Sequence, residues 1–423
     1  FARFPQRVLV PINATLGAAI DVRLNRGRIK PAAGTTVRVL GNLIVNESTA
    51  AASVDNTLGL VDIDGELRLT LGSLWIEGAY TTAALGTLRL NGGTLNLRGT
   101  LDNTGAMLVL NQGAGAFSLY QATVRGGTIA PAPGTTLQFP TSSATVFDGV
   151  TLRGPIVLQT AIGSSGMGTI VRNGLTIDGQ VTMGTLSGGT PNSTAFRFEG
   201  AQTLGGTGTI VFADFTTSQE SYLYAAGGTL TIAPTITIRG GSGGFNFSDG
   251  TGGLIRNQGT IIADSASKPI KIYQAFRNEG VLRAAGGLID LYGTVTPQTL
   301  GDFRSENGGI ITVRTALDVS AQTLTLNDQT GPLYLQGGTL TGTNIITSGA
   351  GMLVFRSFQS SPPTTINFNI GLGPGGSMTF AGDLTLNATL TLLGGGTGLT
   401  FTGTRSILGN GSIVFDPTQG GAA

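Results

Sequence analysis

The alternation of apolar and polar residues sets the expected architecture of this chain before composition is considered. In Gly92–Leu97, GGTLNL, Leu95 and Leu97 fall on one side of an extended strand and Thr94 and Asn96 on the other. A glycine pair precedes this run, and the same order of glycine corner and short alternating strand continues along most of the chain. Glycine supplies the positive φ that a sharp corner needs, while the β-branched Thr and Val residues suit the extended pieces between corners. No window of a dozen residues keeps the 3.6-residue period without a Gly or Pro interruption, so the pattern predicts strand and corner throughout and no helix.

Parts of Gly86–Ile129 recur downstream. Displaced by 194 positions, Gly86–Leu101 falls on Gly280–Val295, and Gly86, Leu88, Arg89, Gly92, Gly93, Leu97, Gly99 and Thr100 meet identical residues. Displaced by 216 positions, Gly92–Ile129 falls on Gly308–Ile345, so the unit occurs twice in succession, and the Gly-Gly markers at Gly286 and Gly308 set a 22-residue period. A displacement of 100 lays Ile29–Val39 on Ile129–Phe139. Corners this frequent allow sequential hairpins or a coiled solenoid. The 22-residue period favours the solenoid, because it divides into three short strands with their corners, and a repeat of this kind buries its apolar face only by stacking on the next copy. At that spacing Asp290 would have the non-ionisable Thr312 as its neighbour on the next coil.

The GGTLxLxG…NxG units resemble the β-strand repeats of right-handed parallel β-helices in bacterial surface proteins, such as filamentous haemagglutinin-like adhesins and autotransporter passengers. The resemblance covers most of the chain and is clearest at Gly86–Ile129 and Thr229–Phe355. It implies an all-β fold, a right-handed parallel β-helix (β-solenoid) with that 22-residue period as its coil. It also implies export, with a secreted, extracellular or cell-surface location, and an elongated shape. Members of that group have unrelated activities, so no catalytic residues are carried over.

Residues 1–19, with two Phe, two Pro and a VLV run, depart from the repeat and are expected to form an N-terminal cap or docking segment. Residues 20–415 are expected to form one continuous solenoid, since no composition shift cuts them, and residues 416–423 an uncapped C-terminal tail. The start at Phe1 is consistent with an exported precursor whose signal has been removed, or with a fragment. Of the 423 residues, 69 are Gly and only 11% are charged, with a net charge of +1. That balance argues against nucleic acid as a partner, which would require concentrated Lys and Arg. No apolar run is long enough for a membrane-spanning helix.

Candidate chemistry is sparse. With no His and no Cys, the chain has no Ser-His-Asp triad, no thiol nucleophile and no imidazole or thiolate metal ligand. In Val61–Leu67, VDIDGEL, an extended strand would put Asp62, Asp64 and Glu66 on one face, where they would suit a hard cation or a sugar; the alternative is a solvated acidic face. Arg28-Ile29-Lys30 matches a motif of β-helical polygalacturonases, but the adjacent aspartates and the histidine of those enzymes are missing, which leaves Lys30 as a corner residue. Gly371–Gly376 matches GxGxxG with no helix after it. Trp75, Tyr222, Tyr224, Tyr273 and Tyr292 are candidates for stacking on sugars, against the simpler reading that they pack on neighbouring coils. No catalytic residue and no cofactor is assigned. The expected function is non-enzymatic: a rigid solenoid rod that associates head-to-tail or laterally with itself into a fibre, or forms a stalk or adhesin. The alternative is a carbohydrate-binding or polysaccharide-processing β-helix with glycans as partners.

Overall fold

The computed structural model describes residues 2–3, 7–10, 14–16, 22–24, 27–110, 116–134, 137–141, 145–160, 168–187, 190–215, 219–246, 252–266, 268–336, 339–360 and 363–416. They fall into two compact units, Phe1–Ile238 and Arg239–Ala423. Each is a parallel β-solenoid in which short strands pair with the equivalent strands of the coils before and after.

Register in each unit follows the repeat. In the first, Thr94 lies opposite Ala116, one full period further along. In the second, Leu288 lies opposite Ile310 and Ile311 opposite Leu333, at the same spacing. Coil length varies around that value. The step from Glu66 to Thr87 is slightly shorter and that from Gln180 to Thr209 clearly longer. The coil contracts between Ile270 and Ile289, and still more between Leu353 and Ile370. Variation of this kind is absorbed at corners, where extra residues leave the stack without breaking the ladder.

The core is a set of columns of inward side chains. In the second unit one column runs Ile270, Ile289, Ile311, Leu333, Leu353, Ile370 and Leu390, each in register with the next and each at most 1% exposed. Burying one such side chain contributes about 1.5–3 kcal/mol relative to leaving it in water, so the columns supply most of what holds successive coils together.

The glycine pairs have two distinct jobs. Gly286 and Gly308, the first of each pair, adopt φ of 80° and 78° and turn the chain. Gly287 and Gly309, the second, sit where a Cβ would meet the preceding coil: 2.6 Å from Ala263 C and 2.2 Å from Ala284 O. The first glycine is needed for conformation and the second for close stacking.

Polar groups inside the corners are paired between coils. The buried Asn278 accepts from Asn257 Nδ2 at 2.7 Å and donates to the carbonyls of Leu300 and Asp302 at 2.8 and 2.9 Å. Asn103 does the same in the first unit, donating to Gly126 O and Thr128 O.

Three features depart from the expected pattern. Pro297–Leu300 forms one helical turn, capped by Thr296 Oγ1, which accepts from Thr299 N. Thr185–Ser187 and Thr190–Asn192 form an antiparallel hairpin among otherwise parallel pairings. The segment 1–19, set apart by its composition, contributes strands Ala2–Arg3, Arg7–Val10 and Ala14–Leu16, which pair in parallel with Val22–Arg23, Gly27–Pro31 and Thr36–Val39. At the other end the strand Ser412–Asp416 is described, and residues 417–423 of the expected tail lie outside the described residues.

The second unit also contains a dislocation. The ladder through Thr294–Val295, Ala316–Asp318 and Thr339–Thr341 stops at its third strand, and that through Leu324–Leu326 and Ile345–Thr347 stops at its second. New ladders begin at residues 357–360 and at Thr364–Ile366. Among the described residues, only the ladder through Leu333–Leu335, Leu353–Phe355 and Ile370–Leu372 runs past this level.

Candidate functional site

The densest cluster of charge in the first unit is built by register. Strand Gly27–Pro31 pairs with residues 52–54 so that Arg28 lies opposite Ser53 and Ile29 opposite Val54, which carries Lys30 opposite Asp55. Asp55 lies opposite Glu77 on the next coil. Lys30 Nζ is 3.1 Å from Asp55 Oδ2. Arg28 pairs with both acids, contacting Asp55 and lying 3.2 Å from Glu77 Oε2. The Asp55 carboxylate is fully buried and also accepts from the backbone N–H and hydroxyl of Thr57. Lys30 is therefore a strand residue held in an ion pair rather than a corner residue.

Burial alone would raise the Asp55 carboxyl. The two hydrogen bonds from Thr57, the one from Lys30 and the charge of Arg28 outweigh it and bring the pKa down to about 2. Asp55 is thus ionised at neutral pH with all its acceptor capacity engaged. The cluster has the character of a coil-to-coil clasp, with no proton poised for transfer.

Trp75, two residues before Glu77, packs edge-on against Tyr120 at a centroid separation of 5.5 Å. Sequence reasoning singled out Trp75 and missed Tyr120, which is 39% exposed. The two rings, with Arg98 3.8 Å from Glu77 on the intervening coil, form a mixed aromatic and charged patch.

Asp62, Asp64 and Glu66 do not share a strand face. Strand Leu60–Ile63 ends before Asp64, which bends with Gly65, and Glu66 begins the next strand. The acids are divided between two sets of cations: Arg38 Nε lies 2.9 Å from Asp64 and 4.0 Å from Asp62, while Glu66 pairs with Arg68 and Arg89. Hydrogen bonds from those two arginines hold the Glu66 carboxyl below its ordinary value. No group of three or more acids among the described residues is placed to hold a metal ion.

Of the tyrosines, Tyr273 and Tyr292 are brought together. They stack at 4.2 Å with planes 21° apart. Burial, then the hydrogen bond and charge of Tyr273 and the nearby Asp290, push the Tyr292 phenol up to about 12. Asp290, 4% exposed, pairs with Arg314 at 2.9 Å. Tyr222 and Tyr224 lie on strand Ser221–Ala226; the Tyr222 hydroxyl donates to Glu220, and Tyr224 is buried opposite Arg197.

The second unit presents an apolar coil edge. In its outermost described coil, residues 398–416, Ile407, Leu408 and Phe415 are 51%, 54% and 76% exposed. Their register partners one coil inward include Leu384 and Leu392, which are buried. Ile407 and Phe415 thus continue core columns with no coil among the described residues to cover them, whereas Leu408 lies over the half-exposed Thr385.

Comparison of the chain with protein-family models, curated proteins and solved structures finds no match. Among the described residues no helix is long and apolar enough to cross a membrane.

Proposed function

We propose that this chain is a non-enzymatic structural protein of the extracellular space or cell surface, a β-solenoid that associates with further copies of itself. The reading extends what its repeats resemble, the filamentous haemagglutinin-like and autotransporter-passenger proteins. The observation that carries it is the parallel register of the coils, in which each coil pairs strand by strand with an equivalent one. Among the described residues Ile407 and Phe415 continue buried columns outward, and the strand Ser412–Asp416 presents an edge in the parallel geometry that the coils beneath it use. A sheet edge with apolar side chains is a template for another strand, and a second copy of the chain supplies a coil of matching kind. The ionised clasp at Asp55 fits a structural role, because it ties neighbouring coils together.

Light scattering and negative-stain electron microscopy over a concentration series test the proposal. Concentration-dependent oligomers or filaments that are lost in Ile407→Glu and Phe415→Glu support it. A monomer at every concentration, or a monomer whose amides at residues 412–416 are protected from hydrogen exchange, overturns it, because the edge would then be covered from within the same chain.

Glycan binding is the second reading, favoured by the Trp75–Tyr120 pair beside Arg98. A glycan array probed with the protein and with Trp75→Ala decides it; absence of any Trp75-dependent signal removes it.

A further inference from the structure

The dislocation in the second unit opens the core. Between Leu353 and Ile370 the coil falls well short of the usual period, and with two ladders interrupted at this level the interior retains a cavity of about 260 Å³. Its wall is apolar: Phe355, Phe358, Ile366, Phe368 and Met378 face it together, and none of its lining residues is charged. Four of those five would be unremarked core residues elsewhere in the stack, since Phe355, Ile366, Phe368 and Met378 are at most 5% exposed. Here each also faces open space. Its polar side chains are three threonines: Thr343 and Thr365, both exposed and therefore at the mouth, and the half-buried Thr364.

We propose that this cavity is a binding site for an uncharged aromatic small molecule of two fused rings, bearing at most one hydroxyl. Size sets the first limit. A dry cavity of about 150 Å³ lined by aliphatic and aromatic side chains accepts benzene, so the space here suits a molecule of roughly ten carbons on the same scale. The wall sets the second. Phe355 and Phe358 already pack edge to face at 5.0 Å and 64°, and ring edges together with the Met378 sulfur favour an aromatic guest over an aliphatic one. Charge is the third: with no charged lining residue, an ionised guest would lose its hydration without a counter-ion. The threonine hydroxyls at the mouth can satisfy a single hydroxyl and little more. The site is independent of self-association, since it includes no residue of the open coil.

Titration with 1-naphthol, followed by calorimetry and by the ring-current shift of the Met378 methyl resonance, tests the proposal. The expected result is saturable one-to-one binding that moves the Met378 signal. Binding is expected to weaken at least tenfold in Thr365→Trp and, separately, in Thr343→Trp, which plug the mouth without altering the buried wall. The anion 1-naphthoate is expected to bind at least tenfold more weakly than 1-naphthol. Circular dichroism identifies either variant that fails to fold, and the other then carries the comparison. No saturable binding, an unmoved Met378 resonance, equal binding of 1-naphthoate, or unchanged affinity in a folded plugged variant overturns it.

Discussion

At Gly308 and Gly309 two adjacent glycines answer different demands, and the difference is measurable. Gly308 has φ of 78° and open space around a Cβ, so Gly308→Ala carries only the cost of a left-handed backbone, about 1 kcal/mol. Gly309→Ala places its methyl 2.2 Å from Ala284 O, which forces two coils apart and is expected to cost about 2–3 kcal/mol. Urea unfolding of the two variants should rank them in that order. Asp55 offers a second test. Its depressed pKa contributes stability that is fully present above the ordinary carboxylate value near 4 and is lost as pH falls toward 2. Discounted for the part-exposed cations around it, the contribution is about 1–2 kcal/mol. Asp55→Asn should remove that acid-sensitive component of the unfolding free energy between pH 4 and pH 2, while Asp55→Ala, which also abandons Thr57, should be less stable than Asp55→Asn at pH 7.

At the scale of strands and corners, the asparagine ladder is the feature whose loss is least easily compensated. Replacing Asn278 by Leu keeps the volume but removes the donor to the carbonyls of Leu300 and Asp302 and leaves the Asn257 amide only its longer bonds to Gly259 and Val281. The expected loss is about 1–3 kcal/mol, with amide exchange accelerating first at residues 300–302. This scale also explains what the sequence disclosed and what it did not. Inward Leu and Ile positions, the glycine corners and the register of Leu288 on Ile310 were legible because one local rule, alternation between corners, repeats. The expected neighbours Asp290 and Thr312 are indeed opposite each other. The Lys30–Asp55 clasp was not legible because the coil there, which sets Ile29 against Val54, is longer than the period. The Tyr273–Tyr292 stack was hidden for the opposite reason, since its coil, which sets Ile272 against Leu291, is shorter. A fixed period misplaces both partners. Asp62, Asp64 and Glu66 were misread for a more local reason: alternation assigns a common face only while the strand continues, and Asp64-Gly65 interrupts it.

For the molecule as a whole, charge offers little to the proposed association. The net charge is +1 over 423 residues, and on its surface Arg38, Arg68, Arg89, Arg256 and Arg283 each lie beside an acid of their own or an adjacent coil. A contact through Ile407, Leu408 and Phe415 should therefore respond to temperature rather than to ionic strength. Self-association is expected to survive a rise from about 0.1 M to about 1 M salt, where the screening length shortens from about 10 Å to about 3 Å, and to weaken on cooling, as apolar burial does. Sedimentation velocity at the two salt levels and at two temperatures checks both directions.

The paired markers Gly286–Gly287 and Gly308–Gly309 make chain length adjustable in whole steps. Because each coil touches only its neighbours, residues 286–307 form a removable module: joining Ala285 to Gly308 restores the same corner, and strand Ile310–Val313 inherits the bed that Leu288–Leu291 now occupies on Ile270–Ile272. The shortened protein should fold with an unchanged circular dichroism shape. Excision of only half that module, which leaves half a turn, should not yield a folded product. In this part of the second unit the number of coils is a countable quantity, set by how many copies of one short phrase the sequence carries.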